Sequence, residues 1–438
     1  ELFTHHLPWD DILPLYYPEF PTADGYKNKE EIIASFCDIL DATGSWSQDT
    51  LAPRAKIIDK VGAGELKDGR TIPSEPLQAS YQEATELGIL ALTAAKEFGG
   101  MELPAVVNLF LYTQIHRACI GTGTQISFFT SIADMVERFC PKEVAQRIIP
   151  RIIAGELSGS MNLTEPGAGS DVGSLKTSAL RQENGTYLLN GAKIFITNGG
   201  GGIGFVLARV KGAPEGLKGI SLFFIEQFPE GTTAPNYLVT KIEEKMGMHS
   251  SFTCEVVYEN SVAHLVGEEG QGIEYMFHLM NESRIGVGLQ AISGLEACLS
   301  YVRQYAETRV QFGKTLLELP LYAYNLKNWE IERDAFRCLM VDTYGQFDIY
   351  AKIDLMQRHG KGLSKDEAAL FSKAKKICRL RTPLVKYYGA ETYTTLSQKC
   401  IQALGGYGFI AEYEAERFHR DSFAPLLYEG TSQIQALM

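Results

Sequence analysis

The sequence predicts an α+β protein whose helical, β and helical segments follow one another, and two changes of periodicity carry that prediction. From about residue 30 to 157, apolar residues recur at steps of three and four. From about 158 to 265 they fall into short β-branched or aromatic runs between Asn, Gly and Pro, and after 266 the helical step returns. A doubly wound α/β sheet alternates strand and helix throughout, and this chain does not. The segments are read as 1–157, 158–265 and 266–438, in line with the roughly three domains expected of 438 residues.

Each segment has its own warrant. In the first, Ile32, Ile33, Phe36 and Leu40 share one helix face. In the second, TYLLNG, AKIFIT, FVLARV and GISLFFIEQF have strand length and composition, and Asn184-Gly185 predicts a hairpin with a type I′ turn, which needs positive φ at both central residues. In the third, Ile285, Leu289, Ile292, Leu295, Leu299 and Val302 form one apolar stripe. Ser364 followed by Glu367 is a capping box that opens a later helix.

Composition narrows the function. Lys and Arg total 41 against 53 Asp and Glu, a net charge of −12, which repels phosphate backbones and argues against a nucleic-acid partner. The eight cysteines are scattered without a C-x-x-C pair or a Cys/His cluster, so no metal site is expected and the thiols are read as reduced and mostly buried. No run reaches the 18 unbroken apolar residues of a transmembrane helix, and the first residues lack a signal peptide's basic and apolar regions. The chain is expected in the cell interior, in a bacterial cytoplasm or a mitochondrial matrix.

The glycine motifs differ in weight. Gly199, Gly201 and Gly204 have G-x-G-x-x-G spacing, but a dinucleotide-binding turn must open a helix and here FVLARV follows. That segment is read as a flexible loop between strands. In MNLTEPGAGSD (161–171), Pro166, Gly167 and Gly169 predict a tight turn whose N–H groups converge on an anion, with Thr164 and Ser170 adding hydroxyls. Phe195 is then either a ring that stacks on a planar cofactor or an ordinary core residue, with Thr197 a donor to the cofactor's edge. RVQFGK (309–314) sets a guanidinium beside an aromatic, as ring or phosphate recognition requires or as a solvated helix end allows. Glu429 follows the apolar run FAPLLY, where burial would raise its pKa toward that of a general base.

Taken together, TEPGAGSD, FITNGG, R-x-x-FGK, LGGYG-x-x-x-EY-x-x-ER-x-x-RD and YEGTSQIQ make the chain from about residue 80 resemble the flavin-dependent acyl-CoA dehydrogenases. The resemblance implies an N-terminal helical domain, a middle β domain and a C-terminal four-helix bundle with FAD between them. It implies dehydrogenation of an acyl-CoA to the trans-2-enoyl-CoA, Glu429 taking the α-proton and flavin N5 the β-hydride. Met161, Leu163, Thr164 and Ser170 would border the flavin, Ser170 also lying near CoA, with Phe195, Ile196 and Thr197 on its other side. Arg309, Gln311 and Phe312, with Gln402, Gly405 and Gly406, match positions that reach the FAD of a neighbouring subunit, while Thr431 and Gln433 contact their own. Asn281, Glu282, Ser283 and Arg284 match the segment that touches the CoA chain, and Gly430 the substrate side. A homodimer or tetramer and an electron-transferring flavoprotein are the implied partners.

Three features depart from the common pattern. Leu319-Pro320 replaces a polar pair that serves the adenine end of FAD. Residues 1–80 look like the longer subgroup that includes long-chain and 3-methylmercaptopropionyl-CoA dehydrogenases. That subgroup continues past the EGT motif, so a further helical domain is expected beyond Met438. Some relatives carry their base immediately before the Arg that matches Arg284; here that residue is Ser283, and Glu282 is expected at the surface or facing CoA, turned about 100° away. An acyl-CoA oxidase and a non-catalytic or DNA-damage-response relative are the alternative readings.

Overall fold

In the computed structural model, which describes residues 1–437 apart from the side chains of 278 and 279, helices α1 (Trp9–Tyr16) and α2 (Lys29–Trp46) open the chain. The Asn28 side chain accepts the Glu31 N–H and caps α2, whose Ile32, Phe36 and Leu40 are buried as their spacing predicts. After α3 (Ala52–Val61) the helical run is broken by a hairpin of β1 (Gly64–Lys67) and β2 (Arg70–Pro73). Asp68 and Gly69 link its strands, both at positive φ, which is the two-residue turn that periodicity alone overlooks. Helices α4 (Glu75–Glu86), α5 (Ala105–Ala118), α6 (Ile120–Phe139) and α7 (Lys142–Ile153) complete this part.

The β part comprises β3 (Ser158–Asn162), β4 (Ser178–Arg181), β5 (Tyr187–Thr197), β6 (Gly202–Val210), β7 (Ile220–Glu226), β8 (Leu238–Ile242) and β9 (Thr253–Val266). Strand β6 pairs with both β4 and β7, so the ladder β6-β4-β5-β9-β7 closes on itself, with β3 and β8 added at its edges. Period-2 alternation divides the two faces: Phe205, Leu207, Leu222 and Phe224 join the helical core, and Val206, Ala208, Phe223 and Ile225 fill a second core. With both faces buried, FVLARV and ISLFFI read as continuous apolar runs. The β4–β5 hairpin forms where expected, but its turn is not type I′. Only Gly185 has positive φ, and the Gly185 N–H donates to Gln182 O, a type I turn closed by a left-handed glycine. The loop at 198–201 does join two strands, though it is tightly seated: a Cβ on Gly201 would lie 2.9 Å from the Gly159 N and one on Gly200 2.1 Å from Thr71 Oγ1.

The last part holds α8 (Gly272–Thr308), a short pair β10 (Val310–Gln311) and β11 (Lys314–Thr315), α9 (Pro320–Arg358) and α10 (Lys365–Leu404). These three long helices pack on one another, and the short α11 (Ala415–Asp421), α12 (Ala424–Leu427) and α13 (Ser432–Ala436) close the remaining side against α8 and α10. The α8 stripe from Ile285 to Val302 is buried as predicted, and Ser364 and Glu367 form the expected capping box. Helix α8 is long and apolar enough to cross a membrane by composition, but 83% of its most apolar window is packed inside the protein. The N-terminal segment is tied to this part through Asp348. That buried carboxylate accepts the Tyr16 hydroxyl at 2.8 Å and the Val106 N–H at 2.7 Å, fastening α1 and α5 to α9.

Candidate active site

The turn after β3 is closed by Glu165 and Ala168, which exchange backbone hydrogen bonds of 3.0 and 3.1 Å. An anion does sit among N–H groups here, but it belongs to the protein. The Glu165 carboxylate accepts the N–H of Lys176 at 2.6 Å and of Thr177 at 3.0 Å, and pairs with the fully buried Lys193 Nζ at 2.8 Å. Lys193 also donates to Leu163 O at 2.9 Å, so one ion pair on β5 fixes the loop that carries Leu163 and Thr164. Gly167 and Gly169 face open space, and Ser170 is exposed.

Strand β5 slips register between Lys193 and Ile196, and at that slip Phe195 takes a left-handed backbone with φ of 57°. The slip throws its ring outward, leaving it 61% exposed, so it is not a core residue. Ile196 turns the other way, its side chain buried in the second hydrophobic core. Thr197 returns to the cavity side.

A cavity of about 150 Å³ brings Met161, Thr197, Ser283 and Glu429 together and runs inward between α5, α6, α8 and α9. Tyr112 and His116 of α5, Thr124 of α6, and Tyr344 and Phe347 of α9 are among its walls. Glu429 follows α12 with φ of 59°, and Gly430 continues at 93°; a left-handed pair presents the carboxylate into the cavity. Its backbone is clamped. Gln435 Nε2 donates to Glu429 O at 2.9 Å, Arg284 Nε to the same carbonyl at 3.3 Å, and Lys386 Nζ to Gly430 O at 2.6 Å. Gln435 and Lys386 were not singled out from sequence; a lysine at 0% exposure within a helix's apolar face is the signal that marks Lys386.

Burial pushes the Glu429 carboxyl above the ordinary carboxylate range, opposed by the Ser283 hydroxyl bonded to it and by the charges of Arg284 and Lys386. A carboxyl raised in this way is a stronger base than a solvent-exposed one, as proton abstraction from carbon requires. Ser283→Ala removes a donor that favours the ionised form, so any proton abstraction by Glu429 will show its acid limb displaced to higher pH. A pH profile of the chemical step unchanged from wild type would refute the role given to Ser283.

Glu282 corrects the expectation of a surface residue. It lines the same cavity, where burial and the Asp134 carboxylate raise its pKa and the Ser131 hydroxyl lies 3.4 Å away. Leu163, Thr164, Asn281, Thr431 and Gln433 do not line this cavity. A second cavity, of about 710 Å³, gathers Arg309, Gln311, Gln402, Gly405 and Gly406. Arg309 there stands 5.3 Å above the Tyr407 ring, and Phe312, at the tip of β10–β11, is 92% exposed. Of the residues expected around FAD, Met161 and Thr197 line the first cavity, Arg309, Gln311, Gln402, Gly405 and Gly406 the second, and the others line neither.

Comparison with known proteins adds to this geometry. Family models for the acyl-CoA dehydrogenase N-terminal, middle and C-terminal domains match residues 38–156, 160–261 and 270–438. A 3-methylmercaptopropionyl-CoA dehydrogenase of Ruegeria pomeroyi is 30% identical, over 99% of this chain and 75% of its own length. Among solved structures, an acyl-CoA dehydrogenase complexed with FAD from Bacillus anthracis is 26% identical with a TM-score of 0.78, covering 93% of this chain and 66% of that one. A chain in the structure of the electron transferring flavoprotein of Acidaminococcus fermentans is also 26% identical, with a TM-score of 0.74 and coverage of 92% and 96%.

Proposed function

Because the chain belongs to the acyl-CoA dehydrogenase family of oxidoreductases, whose cofactor is FAD, we propose that it oxidises an acyl-CoA thioester between Cα and Cβ with Glu429 as the base. The observation that carries this reading is the Glu429 carboxylate, held by a clamped left-handed turn at a cavity that also meets Met161 and Thr197. The residues fit the cofactor: Phe195 offers an uncovered ring, Thr197 a hydroxyl on the cavity side, and a Cβ at Gly405 or Gly406 would meet no atom within 4 Å, leaving room for a ligand. Bound FAD supplies the acceptor for the Cβ hydride. Glu429 removes the α-proton on the opposite face of the substrate, and the product is the trans-2-enoyl-CoA. Among the described residues no carbonyl accepts the Glu429 N–H, which supports its use as a donor to the thioester oxygen as charge develops there.

Likeness to the Acidaminococcus structure supports an electron-transferring flavoprotein as the electron acceptor, and bacterial relatives such as the Ruegeria enzyme support a cytoplasmic setting. The placing of Arg309, Gln311, Gln402, Gly405 and Gly406 in a cavity apart from Met161 and Thr197 supports a cofactor shared between subunits, as do the exposed apolar side chains of Phe312, Leu321, Tyr324 and Phe409. Light scattering is expected to show a dimer or tetramer holding FAD; a monomer with one FAD per chain would refute the sharing. The function itself is tested by anaerobic titration of the yellow protein with acyl-CoAs. Bleaching of the flavin with formation of an enoyl-CoA is expected, and a flavin left oxidised by every acyl-CoA would overturn the reading.

A further inference from the structure

Three buried polar atoms that have no partner among the described residues belong to side chains lining the inner cavity: Asn108 Oδ1, His116 Nε2 and Glu282 Oε2. Asn108 and His116 are 5% and 3% exposed. With Tyr112 they occupy one face of α5 at four-residue steps, so the cavity wall is a polar stripe. A cavity meant for a plain alkyl chain has no use for such a stripe, because the chain would leave each of these atoms desolvated and unpaired.

The hydrogen-bonding sense of the stripe can be worked out. His116 Nδ1 lies 2.7 Å from Tyr112 O. A carbonyl only accepts, so the Nδ1 proton is assigned to that bond and Nε2 keeps a lone pair; burial pushes the ring's pKa down to about 4, so it stays neutral. Asn108 offers an acceptor at Oδ1 and donors at Nδ2, and a hydroxyl can answer either. The Tyr112 and Thr130 hydroxyls share one bond of 2.7 Å, in which one proton suffices and the other is left over for a ligand. Glu282, its carboxyl raised by burial and by Asp134, both accepts and donates. Acidic Glu102, Asp134 and Glu137 also line the cavity, against Arg138 and Lys352. Arg138 is already engaged by Asp134 and Asp354, and Lys352 by Glu102. A carboxylate ligand would therefore find acceptors and negative charge. Phe128, Val287 and Phe347 supply apolar wall for methylene groups.

Resting on the acyl-CoA reading above, we propose that the acyl chain this site accepts carries a hydrogen-bond donor, a hydroxyl group, a few carbons beyond Cβ. The cavity's roughly 150 Å³ suits on the order of six non-hydrogen atoms, since a void of that size takes up one benzene. The substrate class is a short to medium hydroxyacyl-CoA.

The test uses the FAD-loaded enzyme and pairs of acyl-CoAs matched in non-hydrogen atoms: 4-hydroxybutanoyl against pentanoyl, 5-hydroxypentanoyl against hexanoyl, and 6-hydroxyhexanoyl against heptanoyl. In at least one pair the hydroxylated member should show kcat/KM higher by about 100-fold, because a site built to bond a hydroxyl rejects the analogue that lacks it. Preference for the alkyl member in all three pairs overturns the inference and leaves the dehydrogenase reading intact. No flavin reduction by any member overturns the inference, and the titration with other acyl-CoAs then decides the dehydrogenase reading. Asn108→Leu and His116→Phe should each shrink the preference at least tenfold. A wild-type ratio in both variants overturns the assignment of these residues.

Discussion

Glu429→Gln will slow flavin reduction by roughly 100- to 10,000-fold, the range over which a positioned general base acts. The substitution keeps the side chain's shape and the left-handed turn that presents it. The hydrogen bonds that clamp the turn run to the backbone carbonyls of Glu429 and Gly430, so they survive it. FAD content and substrate affinity should therefore stay near wild type, and the loss should fall on the chemical step. Glu282→Gln is the contrasting variant, because Glu282 shares the cavity while Ser283, at the alternative base position, serves Glu429 as a hydrogen-bond donor. That variant should slow reduction by hexanoyl-CoA by less than about tenfold. Anaerobic stopped-flow reads both rates. Bleaching by Glu429→Gln at close to the wild-type rate would show that the base lies elsewhere.

What the sequence disclosed and what it hid follow from the range over which each signal acts. The α8 stripe, the Ser364 capping box and the runs that form β5, β6 and β7 were legible because each is written into residues a few positions apart. The Asn184-Gly185 turn was placed correctly and typed wrongly, since a one-residue change in loop length converts a type I′ turn into a type I turn with a left-handed glycine. Asp68-Gly69 does make the two-residue turn, inside a segment whose helical periodicity concealed it. Phe195 and Ile196 show the limit more sharply. A regular strand would place them on opposite faces, but only the register slip against β9 decides which of them faces out, and that slip depends on residues some 60 positions away. Glu282 was misplaced for a related reason: helical rotation gave the direction relative to Ser283, but not that α5, α6 and α9 stand around α8 so that both neighbours meet one cavity.

Lys193→Met is expected to destabilise the protein by about 3–5 kcal/mol, the cost of stranding one member of a buried ion pair. Lys193 is fully buried, and burial pushes its pKa down to about 8, so at neutral pH it is still charged and bonded to Glu165 and to Leu163 O. Methionine matches the stem of lysine but supplies no donor, leaving the Glu165 carboxylate and the Leu163 carbonyl without it. The loss has a second readout because of where the pair sits. Leu163 and Thr164 are carried by the loop this pair fastens, and Thr164 O accepts the Ile194 N–H at 2.9 Å one residue past Lys193. The loop cannot loosen without moving the residues proposed to border the flavin, so FAD content per chain should fall along with the urea midpoint. Replacing Glu165 by Leu in the same chain should restore only part of the stability, because the N–H groups of Lys176 and Thr177 would then lose their acceptor. Urea melts followed by circular dichroism, with the flavin absorbance measured on the same samples, separate these effects. An unchanged midpoint and full FAD content in Lys193→Met would show that the ion pair does not hold the loop in place.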